Sequence, residues 1–159
     1  MDNVANMNVT LPSLQAVQPT QLDAYLIVAR DLLKGADVLS KEKNIPSRSC
    51  GLIAAHALEC MLKAYLWHKG KRKEIRERNT QHNLKTLWDL AHNENSLNLP
   101  KSPPDWVQTL SVGHGPNFYF RYQEGENKTV VNGGSTPSLI PMCFELNDLL
   151  KRIESLVKA

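Results

Sequence analysis

The side chains best suited to chemistry fall in three places. His56, Glu59 and Lys63 stand at i, i+3 and i+7, which puts them in one stripe if the segment is helical. Glu59 precedes Lys63 by four residues, the favourable order for an ion pair within a helix. The alternative is a polar seam, partly enclosed, in which Glu59 anchors a basic residue of a neighbouring element. His-x-x-Glu is not His-Glu-x-x-His, and no second ligand motif completes a metal site. The sequence therefore implies neither a metal nor a cofactor.

The second place is Lys69 to Arg78, KGKRKEIRER, with six basic residues against Glu74 and Glu77. Its net +4 exceeds the +3 of the whole chain, so all of the basic excess is local. Such a patch attracts phosphates, and Lys71, Arg72, Lys73 and Arg76 are the candidate contacts to RNA or nucleotide. A solvated helix end, where cations suit the dipole, is the plainer reading. His82 follows in Thr80–Leu84, which looks like a helix start. It could cap backbone groups, or face a phosphate held by Arg76 or Arg78. The third place is Gly113 to Gln123. His114 lies between two glycines, and Arg121 is flanked by Tyr119 and Tyr122. A guanidinium beside aromatic rings suits stacking and phosphate contact. A hairpin with a salt-bridged arginine would look the same.

The elements that must position these residues are mostly helical. Thr20-x-x-Asp23 has the form of a capping box, and Leu22, Tyr25, Leu26, Ala29, Leu32, Leu33 and Ala36 follow at helical spacing. Ser40 to Pro46 reads as a connection. From about Ser47 to Lys69 nearly every position is apolar or small, the mark of the most enclosed helix of a bundle, and Gly70 stops it. A third helix is expected over about His82 to His92, with Leu84, Leu87, Trp88 and Ala91 inward. Ser102-Pro103-Pro104-Asp105 predicts a fourth, with serine as N-cap and proline at the first helical position. It ends at Gly113-His114-Gly115. Phe118, Phe120 and Tyr122 alternate with Tyr119, Arg121 and Gln123, which is strand period. A small hairpin over 117–131 is the expectation. The last helix starts near Pro141 and buries Leu146, Leu149, Leu150, Ile153, Leu156 and Val157.

The 159 residues suit one domain, 19–159, behind a flexible N-terminal arm, 1–18. With 42% hydrophobic and 22% charged residues, the composition is that of a globular protein. No stretch is both apolar enough and long enough to cross a bilayer, and MDNVANMNVTLPSL lacks the regions of a secretory signal. A cytoplasmic protein without membrane contact is the expectation. Cys50 and Cys60 lie on one helix, roughly 15 Å apart, too far to bridge. All three cysteines are expected to be reduced.

AAHALECMLKAYLWHKGK, the basic loop and HNLKTLWDLA together resemble a HEPN domain (higher eukaryotes and prokaryotes nucleotide-binding). The resembling positions are Glu59, Lys63, His82, Leu84 and Leu87, and the likeness covers roughly residues 20 to 95. It implies an all-α, up-and-down bundle of four to five helices, here with the hairpin inserted before the last one. It also implies a homodimer that handles RNA or nucleotides, often in toxin–antitoxin or defence systems. Many members are metal-independent ribonucleases with Arg-x4–6-His near the start of the last helix. Ser138 to Leu150 contains neither residue. The expectation is therefore a non-catalytic module that binds RNA, nucleotide or a protein partner. A ribonuclease with a displaced motif is the alternative, using Arg76 and His82 or Arg121 and His114. A third possibility is a structural adaptor for a nucleotidyltransferase-like partner.

Overall fold

A computed structural model describes residues 20–42, 47–115 and 139–158. The expected arm 1–18, the hairpin over 117–131 and Arg121 lie outside them. The described part is all-helical: α1 Gln21–Lys41, α2 Ser47–His68, α3 Leu84–Asn93, α4 Asp105–His114 and α5 Leu139–Lys158, with a 3₁₀ turn at Glu74–Arg76.

Local chemistry sets the ends of the long helices. The Thr20 hydroxyl accepts from the Asp23 amide at 3.2 Å and donates to the Asp23 carboxylate. At the far end of α2, Gly70 takes φ +79, a backbone conformation that costs glycine little. The Lys71 amide then reaches the Leu66 carbonyl at 2.9 Å and the Gly70 amide reaches Trp67 at 3.0 Å. These two bonds form a Schellman cap, so the glycine both ends α2 and launches the basic loop.

α2 packs against each of the other four helices. Ala54, Ala55, Ala57, Leu58, Met61, Leu62, Ala64, Tyr65 and Leu66 are all fully buried along it. Small residues alternating with leucines let neighbours approach closely from several sides. α1 contributes Leu26, Ala29, Leu33 and Ala36, and α5 contributes Met142, Cys143, Leu146, Leu149, Leu150 and Ile153. The buried residues form one continuous cluster. Polar ties join the outer helices: Arg30 of α1 bonds Glu154 of α5, and the Trp106 indole N–H of α4 donates to Glu145 of α5 at 2.6 Å. Trp88 and Trp106 meet edge to face between α3 and α4.

The bounds of α3 and α4 differ from the sequence reading. α3 starts at Leu84, and its N-cap is Asn83, whose side chain accepts from the Thr86 amide at 3.1 Å. His82 therefore precedes the cap. α4 starts at Asp105 with Pro104 in the N-cap position, two residues after the serine expected there. A proline disfavours helical geometry in the residue before it, so Pro104 holds Pro103 out of the helix. Finally, His114 is the last residue of α4, not a loop residue. Gly115 follows because a Cβ there would stand 2.8 Å from the Ser111 carbonyl oxygen.

Candidate functional site

Glu59 sits halfway along α2, where the bundle is most enclosed, and its side chain is only 5% exposed. The Lys63 ammonium lies 2.5 Å from Oε1, one turn further on, and is itself 9% exposed. His114, from the end of α4, is 1% exposed and places Nε2 2.6 Å from Oε2. His82, from the segment before α3, brings Nδ1 to 3.2 Å from Oε1 and 3.3 Å from Oε2. Its side chain is 43% exposed, so the cluster meets solvent there. The His56 and His82 rings each lie 6.2 Å from the His114 ring, centre to centre.

Both readings of the His56-Glu59-Lys63 stripe are thus realised at once. The i, i+4 ion pair forms, and Glu59 also draws basic side chains from two neighbouring elements. Burial by itself raises a carboxyl pKa. Hydrogen bonds from His114 and Lys63, with their charges, outweigh it and hold Glu59 at about 2, against an ordinary 4.5. A buried carboxylate is tolerable only with such partners. Among the described residues, the buried His114 Nδ1 has no hydrogen-bond partner.

The basic loop lies beyond the Gly70 cap. The guanidinium of Arg72 lies over the Trp67 ring at 4.9 Å and that of Arg76 at 5.2 Å. Trp67 meets Tyr25 of α1 edge to face. Ile75 is buried and pins the 3₁₀ turn to the bundle. Lys71 pairs with Glu94 at the end of α3, at 3.0 Å. Arg72, Lys73, Arg76 and Arg78 are exposed, and among the described residues none of these four is in an ion pair.

The sequence-predicted residues therefore separate into two groups. His56, Glu59, Lys63, His82 and His114 come together, although they were read as separate features. Arg72 and Arg76 gather on Trp67, with Lys73 beside them. Arg76 and His82 have different partners, one on the indole and one on Glu59. Trp67 and Glu94 were missed as functional positions. An indole a few residues before an arginine-rich loop is a usable signal for the first; nothing local marks the second.

The three cysteines are free and buried. A hydrogen bond with Cys143, together with burial, pushes the Cys50 thiol up, and burial and Glu59 push Cys60 to about 12. None of the described helices is long and apolar enough to cross a membrane. No protein-family model matches the chain, and no curated protein or solved structure is significantly similar to it.

Proposed function

We infer that this chain is a HEPN-like helical module that binds RNA or nucleotide phosphates through the loop after α2, without cleaving them. The observation that carries this reading is the placement of the Arg72 and Arg76 guanidinia over one indole. An arginine held over an aromatic ring can still offer N–H groups to phosphate oxygens and has less side-chain freedom left to lose on binding. A merely solvated helix end would not order two guanidinia in this way. Lys73 and Arg78 add charge to the same loop, whereas Lys71 serves to tie it to α3 through Glu94.

The test is retention of labelled RNA by the purified chain across a salt series with EDTA. Affinity falls with salt at a log–log slope of about −0.7 per phosphate neutralised on a single strand. Replacing Arg72, Lys73 and Arg76 together with alanine flattens that slope. A triple variant with the parent's slope would reduce the loop to a solvated helix end.

A homodimer or a nucleotidyltransferase-like partner draws on a different observation. Phe144 is 76% exposed and Ile140 55%, one turn apart on α5, beside Asp37 of α1. Phe144→Asp distinguishes this reading, because it disrupts self-association or partner binding while leaving the RNA salt slope unchanged.

A further inference from the structure

We propose that Glu59, His82 and His114 form a binding site for one divalent transition-metal ion of the zinc class. The inference is independent of the RNA-binding reading. It rests on donor type, spacing and placement. Three elements each contribute one ligand: α2 a carboxylate, the segment before α3 an imidazole, and the end of α4 a second imidazole. All three ligand atoms lie within 4.8 Å of one another. Zinc bonds of about 2.0–2.1 Å in a tetrahedral arrangement separate ligand atoms by about 3.3 Å. His82 Nδ1 already stands 3.2 and 3.3 Å from the two Glu59 oxygens. His114 Nε2, at 2.6 Å from Oε2, has only to move back by a fraction of an ångström. The metal takes the place of the hydrogen bond between these two groups, and the neutral His114 ring then carries its proton on Nδ1.

The surroundings also select the ion. Lys63 donates to Oε1, which leaves Oε2 turned to His114 and fixes the carboxylate as an outer hydrogen-bond partner fixes a ligand. The ammonium cancels the Glu59 charge. A cation that is bound chiefly by charge, such as magnesium or calcium, gains little here, whereas an ion that favours imidazole nitrogen gains two ligands. The described residues supply three protein ligands, and the exposed side of His82 gives the site access to water.

The experiment uses the full chain, stripped with EDTA and desalted. Equilibrium dialysis at micromolar free zinc, in excess magnesium, is expected to leave one zinc per folded chain. Cobalt should give the visible absorption of a tetrahedral site, bleached by added zinc. His82→Ala, at a half-exposed position, preserves the helical circular dichroism and weakens zinc binding by about tenfold or more. Glu59→Gln does the same where it folds. His68→Ala, at an exposed residue outside the cluster, binds as the parent does. A folded parent that retains no zinc would overturn the proposal, as would His82→Ala binding with the parent's affinity.

Discussion

Glu59 concentrates the electrostatics of the molecule in one side chain. Its carboxylate and the Lys63 ammonium are both buried, and each makes the other tolerable. Removing one member of such a pair strands the other, at a cost of about 3–5 kcal/mol. Glu59→Gln is therefore expected to lower the urea midpoint sharply, and Lys63→Met on top of it to recover part of the loss. A double variant as unstable as the single one would mean that the pair is not what Glu59 stabilises. The pH dependence follows from the same group. Its pKa is depressed to about 2 from 4.5, so the unfolded chain takes up this proton first as pH falls. The stabilisation is complete above about pH 4.5 and is lost towards pH 2. Across that window the parent should lose more stability than Glu59→Gln, measured by chemical denaturation at each pH.

At the scale of elements, α2 is the axis on which the other helices are assembled. Leu62 is fully buried at its middle, so Leu62→Ala should cost about 2–5 kcal/mol through lost contacts and a residual cavity. An unchanged denaturation midpoint would mean that α2 is not central. The long helices were legible because each carries a strong local pattern. α1 has its Thr20 cap and α2 its Gly70 stop, and their bounds fall within two residues of the reading. α5 begins two residues before Pro141, which the first turn accommodates because its amides need no helical partner. The short helices were less legible at their starts. At α3 the reading put the start at about His82, with the histidine as a candidate cap, whereas the Asn83 side chain caps the helix by accepting from the Thr86 amide. At α4, two adjacent prolines displaced the start beyond the serine.

For the molecule as a whole, the described residues hold Arg76 apart from His82 and His114. The cleavage chemistry of HEPN ribonucleases needs a histidine and an arginine at one scissile phosphate. His114 is buried on Glu59, and the Arg76 guanidinium lies over Trp67. The start of α5 presents Phe144 and Glu145 instead of arginine and histidine. Purified protein incubated with total RNA and EDTA is expected to show no cleavage above a buffer control. Turnover that disappears in His82→Ala, with the fold intact, would favour the ribonuclease reading instead.

The helical character of the described residues, the central position of α2, the stop at Gly70 and the basic loop after it were determined by sequence alone. Each depends on neighbours within a turn or two, where periodicity, capping and charge density act. The Glu59 cluster was not legible in that way. Its stripe could be seen, but His82 and His114 lie 23 and 55 residues further along the chain, and no local rule links such positions. They meet because α3 and α4 both pack on α2, so that the approach to α3 and the end of α4 fall beside its middle. Trp67 shows the same limit from the other side. The sequence placed an indole before six basic residues, but only the Schellman turn at Gly70 and the buried Ile75 bring Arg72 and Arg76 back over its ring.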